Sequence, residues 1–70
     1  MILITSPLMK DKIVNEAETI EEIKVNHIKT EGINMYFETD TDDETALPIV
    51  KKAIKNNPNF KGLMISVKIQ

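Results

Sequence analysis

The feature that most restricts the fold of this chain is a change of hydrophobic period between Ile33 and Ile54. Residues 33–39 alternate between apolar and polar side chains, which is the pattern of a strand with one buried face. After an acidic segment, residues 46–54 carry apolar side chains at helical spacing. A strand that passes directly into an amphipathic helix indicates a fold in which helices cover a sheet.

Pro48 limits where this helix can begin. Proline lacks the backbone N–H, so it is best tolerated in the first turn, where that group has no partner within the helix. The position of Pro48 therefore predicts an N-cap near Thr45, after the acidic residues. Lys55 complements the helix dipole near the carboxyl end, and Asn56-Asn57-Pro58 ends the helix.

The first half of the chain permits two interpretations. Residues 2–4 predict a buried strand, and residues 8–14 an irregular connection or a short strand. Helix-start signatures at Asn15 and Thr19 then predict a helix within residues 15–30. In the alternative, residues 23–39 form a β-hairpin in place of this first helix.

The last residues, 63–69, alternate again and predict a third strand. The expected fold is a small two-layer α/β (α+β) sandwich of one domain, residues 1–70. Its order is β-α-β-α-β, with parallel neighbouring strands and both helices on one face of a three-stranded sheet. The opposite face is predicted to carry Asn34, Tyr36, Glu38, Met64, Ser66 and Lys68.

Composition excludes several classes of function. The chain has no cysteine and one histidine, which argues against disulfides and zinc. All nine basic residues are lysine and the net charge is −2, which argues against nucleic-acid binding. Two isolated glycines cannot form a phosphate-binding loop, and no nucleophile has a recognisable context. We therefore expect neither a cofactor nor catalytic residues.

The location and source of the protein are also expectations from sequence. Residues 1–7 have no basic leader before their short apolar run, and no segment approaches the roughly 20 apolar residues that span a bilayer. These features predict a cytoplasmic protein without a membrane partner. Frequent Ile, Asn and Lys suggest an AT-rich coding sequence of a bacterium or a phage.

Five carboxylates lie between Glu38 and Glu44. Oxygen-rich loops suit hard cations, so Asp40, Asp42, Asp43 and Glu44 are candidate ligands for a divalent cation. The spacing does not match an EF-hand, because Thr45 and Lys51 stand where that loop requires glycine and glutamate. Acids before a helix also stabilise its dipole, and a negative patch steers basic partners.

These observations predict a small non-enzymatic interaction or regulatory module that binds a protein partner or self-associates, with a homodimer as one form. The predicted partner contacts are Tyr36, Glu38, Asp42, Asp43 and Met64, because exposed Tyr and Met are frequent at interfaces. The alternative is a domain that binds a divalent cation or small ligand through residues 38–44. Lys51, Lys52 and Lys55 form a basic strip typical of a solvated helix face.

Overall fold

A computed structural model describes all 70 residues as a four-stranded antiparallel sheet with two helices. The elements are β1 (Ile2–Thr5), α1 (Lys10–Glu18), β2 (Val25–Glu31), β3 (Asn34–Thr39), α2 (Asp43–Asn56), a 3₁₀ turn (Pro58–Phe60) and β4 (Ser66–Ile69). The strand order is β2-β3-β1-β4. The α+β class is confirmed, whereas the predicted sheet lacked one strand.

The connections form two split β-α-β units, which is the ferredoxin-like topology. The strands joined through α1, β1 and β2, run parallel, but β3 lies between them; likewise β1 lies between β3 and β4. Every hydrogen-bonded pair is therefore antiparallel, and the prediction of parallel neighbours was wrong. The neighbours are antiparallel because β3 fills the gap between β1 and β2, and β1 fills the gap between β3 and β4.

The first helix lies earlier than the predicted 15–30. It is anchored by Ile13 and Ala17, which are four residues apart and fully buried. Thr19, interpreted as a helix start, is instead the C-cap: its backbone N–H bonds to the Asn15 carbonyl, and its hydroxyl donates to the carbonyl of Glu16. A threonine hydroxyl can bond at either end of a helix, so this signature was ambiguous.

The hairpin alternative is confirmed for β2 and β3, although it does not replace the helix. The strands meet at the two-residue loop Gly32-Ile33, where Gly32 has a φ of 60°. Glycine adopts positive φ without steric cost, as tight hairpin loops require. Ile33, predicted to point inward, lies in this loop and is exposed.

Both helices cover the same face of the sheet, as predicted. Ile13 and Ala17 of α1 and Val50 of α2 share one core with Ile4 and Phe37 of the sheet. The remaining buried apolar members of this core are Ile2, Val25, Met35, Ala46, Ile54, Phe60 and Val67. Neither helix is both long enough and apolar enough to cross a membrane.

The second helix begins before the predicted N-cap at Thr45. Asp42 is the N-cap, and its carboxylate accepts the Thr45 backbone N–H at 3.0 Å. Pro48 therefore lies inside the helix, where it cannot donate to the Glu44 carbonyl. Both Glu44 and Pro48 are exposed, so water can bond to the Glu44 carbonyl that lacks its helical donor. The cap at Asp42 therefore determines where α2 begins.

The register with β1 places Asn34, Tyr36, Ser66 and Lys68 on the uncovered sheet face, and alternation along β3 adds Glu38. The prediction that Met64 belongs to this face was wrong, because β4 begins only at Ser66. Met64 precedes the strand and is 91% exposed. The alternating pattern starts at residue 63, but a strand also needs hydrogen bonds to a neighbouring strand, and these begin only at Ser66.

Candidate interaction site

Three of the five acids in residues 38–44 are engaged, each with a different partner. The Asp40 carboxylate accepts the Lys24 backbone N–H at 3.1 Å, Asp42 caps α2, and Asp43 pairs with the amino group of Met1. No group of three or more His, Cys, Asp or Glu side chains is arranged to hold a metal ion. The cation-binding alternative therefore gains no support from this geometry.

The cap at Asp42 has an electrostatic consequence. The Thr45 hydroxyl donates to the Asp42 carboxylate at 2.9 Å, and the Thr45 backbone N–H donates at 3.0 Å. These hydrogen bonds favour the ionised form and lower the pKa of Asp42 below its usual value. The acid at this position thus has a structural role at the start of α2.

We expect Asp42→Ala to lower the melting temperature at neutral pH, because it removes the cap. A carboxyl group with a lowered folded-state pKa stabilises fully above its unfolded value, about 3.9, and loses this contribution as pH falls through the folded value. The difference in melting temperature between the wild type and Asp42→Ala should therefore shrink as the pH falls through this acidic range. Asp42→Asn retains an acceptor and is the control; a pH-independent difference for Asp42→Ala would contradict this role.

Tyr36 lies near the middle of the uncovered face and is partly buried. The Lys29 ammonium lies 5.0 Å from its ring centroid, and Leu3 is its neighbour on β1. Tyr36, Lys29 and Glu31 line a shallow depression with Met1 and Gln70. One face of the Tyr36 ring, a predicted partner contact, is therefore already covered by Lys29.

The predicted contact residues do not form one surface. Glu38 lies near Met1 at one end of the sheet. Asp42 and Asp43 follow β3 at this same end, where Asp43 pairs with Met1. Met64 lies beyond the opposite end, where Ser66 pairs with Thr5. No single flat partner surface contains all five residues.

A groove with an apolar floor lies between α2 and β4, and it encloses about 330 Å³. We call it the α2–β4 groove. Its floor is formed by Ile54, Phe60, Leu63, Ile65 and Val67. Other depressions on the surface are lined mainly by polar or charged side chains. The groove is therefore the concave surface best suited to apolar groups.

Lysines form the rim of the α2–β4 groove. Lys51 and Lys55 are one helical turn apart on α2, and Lys61 follows the 3₁₀ turn. None of the three forms an ion pair, since the structure contains only the pairs Met1–Asp43 and Lys29–Glu31. Three free ammonium groups beside an apolar floor make this part of the surface positively charged.

One edge of this groove is β4, the free edge strand of the sheet. The Gln70 N–H donates to the Met1 carbonyl at 2.9 Å, which makes these residues a hydrogen-bonded pair. Such pairs alternate along antiparallel strands, so Lys68 is also bonded to β1, whereas Val67 and Ile69 direct their backbone groups outward. These groups are available at the edge.

The other sheet edge, β2, is interrupted near its middle. Lys24 and Asp40 form a backbone hydrogen bond at 3.3 Å, so the alternation directs the His27 amide outward. The Glu18 carboxylate accepts that amide at 3.1 Å, and the strand bulges between His27 and Lys29. Bulges and local caps of this kind protect an edge from pairing, and β4 has neither.

Sequence reasoning identified Lys51 and Lys55 only as a solvated strip and missed the α2–β4 groove. A signal was present in the charge distribution. All eleven acids lie in residues 1–44 with four lysines, whereas residues 45–70 carry five lysines and no acid. The formal side-chain charges of these segments are −7 and +5, and the small net charge conceals this separation.

Comparison with protein-family models, curated proteins and solved structures found no match to this chain. Topology alone fixes no activity, so function must be argued from the site itself.

Proposed function

We propose that this chain is a non-enzymatic interaction module that binds a segment of a protein partner in the α2–β4 groove. The observation that carries the proposal is the groove's combination of an apolar floor, a basic rim and an open strand edge. A protein segment can use all three features at once, through its side chains and its backbone.

The chemistry of the groove favours binding over catalysis. Its only ionisable side chains are Lys51, Lys55 and Lys61, all of them exposed. No carboxylate or histidine lines it that could transfer a proton with them or activate a nucleophile. The lining therefore offers burial and charge attraction.

The expected setting of the module is the cytoplasm of a bacterium or a phage-infected cell. Tyr36, Glu38 and Met64 stay predicted contacts, available to parts of a partner that extend beyond the groove. Asp42 and Asp43 are less suited to this role, because both are engaged in contacts within the chain.

Selection of peptides from a random display library against the immobilised protein tests the proposal. We expect enriched peptides whose binding is lost in Leu63→Asp, because a carboxylate in the apolar floor is costly to desolvate. Leu8→Asp is the matched control, since Leu8 is exposed and lies outside the groove. Circular dichroism establishes that both variants fold.

Amide chemical shifts of the unmodified protein provide a test that needs no variant. Enriched peptides should shift Leu63, Ile65 and Val67, which line the groove. Enriched peptides that instead shift only the uncovered sheet face around Tyr36 would overturn the assignment of the groove. Failure to enrich any saturably binding peptide would also count against the proposed function.

A further inference from the structure

We infer that the segment bound in the α2–β4 groove is an extended strand of alternating apolar and acidic side chains, which pairs with β4 and extends the sheet. This inference rests on the proposed function and specifies the class of partner. Three independent features of the structure support it: the directions of the β4 backbone groups, the alternation of the two sheet faces, and the local charge.

The backbone of β4 presents a repeating set of donors and acceptors. Val67 and Ile69 direct their N–H and C=O groups away from β1, and neither residue takes part in the backbone hydrogen bonds made outside the helices and the sheet. An incoming strand can exchange hydrogen bonds with both residues without displacing an existing bond. Because β2 is capped by Glu18 and bulged, the same addition is disfavoured there.

The two faces of the sheet require different side chains on the added strand. Alternate positions would face the groove, next to Val67 and the floor residues Ile54 and Leu63, where apolar groups are buried. The intervening positions would lie on the uncovered face beside Lys68, which is exposed. Alternation of apolar and acidic side chains matches both environments.

Local charge selects an acidic partner over a second copy of this chain. The free lysines Lys51, Lys55, Lys61 and Lys68 surround the edge, and residues 45–70 contain no acid. Pairing β4 with β4 of a second copy would bring two regions of charge +5 together. Such like-charge juxtaposition is unfavourable, whereas carboxylates on an incoming strand are attracted.

The probe is a short fluorescent peptide in which valine and glutamate alternate, titrated with the intact protein at low salt and followed by anisotropy. We expect saturable binding that weakens as NaCl is raised to about 0.5 M, because surface charges are then screened. The same peptide with lysine in place of glutamate should not bind. Equal binding of both peptides would overturn the inference.

Two variants test the geometry. Ile69→Pro removes an outward N–H without breaking a bond to β1, and should weaken binding by about tenfold or more. The triple variant K51Q/K55Q/K68Q should weaken it by about tenfold at low salt, because Lys68 flanks the acidic positions of the added strand and Lys51 and Lys55 attract it from the rim of the groove. Lys52→Gln is the control, because Lys52 lies on the same helix outside the groove.

The outcomes separate this inference from the proposed function. Peptides selected by display that bind the groove, but whose affinity is unchanged by Ile69→Pro and by the lysine variant, would overturn strand addition and leave the interaction module intact. If Ile69→Pro fails to fold, alternate N-methylation of the peptide removes the same class of hydrogen bond from the other partner. Unchanged affinity of that peptide would equally contradict the inference.

Discussion

Replacing Phe37 with alanine is expected to remove a large part of the free energy of unfolding. Phe37 is fully buried, pairs with Ile2 across the sheet, and its ring centroid lies 5.4 Å from that of His27. Truncation of a buried phenylalanine costs about 3–5 kcal/mol. A domain of this size has a total stability of about 4–10 kcal/mol, so the loss removes much or all of it. Urea unfolding measures the change.

Tyr36→Ala provides the comparison, because Tyr36 is the adjacent residue of the same strand but lies on the uncovered face. We expect a loss of only about 0.5–1 kcal/mol, mainly from its cross-strand contacts. Similar losses in the two variants would contradict the assignment of faces and therefore the register of β3 with β1.

The second large effect is expected for Ile13→Asp. Ile13 anchors α1 in the core and has no exposed surface. A carboxylate there would be buried without a partner, at a cost of several kcal/mol. We expect the variant to be largely unfolded at neutral pH by circular dichroism and by loss of dispersion in NMR spectra.

Ile28→Asp distinguishes the observed fold from a helix over residues 15–30. Such a helix would bury Ile28 on its apolar face, whereas in the structure Ile28 is 45% exposed and lies at the bulge of β2. We therefore expect Ile28→Asp to remain folded, with a change in unfolding free energy of roughly 1 kcal/mol or less. Unfolding of this variant together with a stable Ile13→Asp protein would refute the placement of α1.

The second half of the chain was predicted more accurately than the first. Val50 and Ile54 lie four residues apart on one helix face, and Asn57-Pro58 ends that helix, so local spacing and breakers determined α2. In the first half, Ile23 and His27 fit both a helical and a strand pattern. The structure forms a strand here because His27 pairs with Phe37 of β3. The local sequence around His27 does not reveal that pairing, since it depends on a second segment.

Errors at the ends of elements have a common physical cause. Thr19 and Asp42 both form local hydrogen bonds to a helix terminus, yet one ends α1 and the other begins α2. Polar side chains of this kind indicate a terminus without specifying which one. Pro48 was given too much weight, because an exposed proline within a capped helix is tolerated when solvent reaches the unpaired carbonyl.

The α2–β4 groove depends on contacts that no local pattern specifies. Phe60 forms part of its floor because the 3₁₀ turn at Pro58–Phe60 brings that ring back against α2 and the start of β4. The open edge likewise follows from the strand order, which requires β2 to be recognised first. The accessible indications of a basic site were the strip of Lys51, Lys52 and Lys55 and the separation of charge along the sequence.

Residue-resolved amide hydrogen exchange, with and without the alternating valine–glutamate peptide, tests the central claim most directly. In the free protein we predict rapid exchange at Val67 and Ile69, whose amides face outward, and slower exchange at Lys68, which bonds to β1. The peptide should slow exchange at Val67 and Ile69 and leave His27 on β2 unchanged. Protection confined to β2 or to the uncovered face, with no change in β4, would contradict the account.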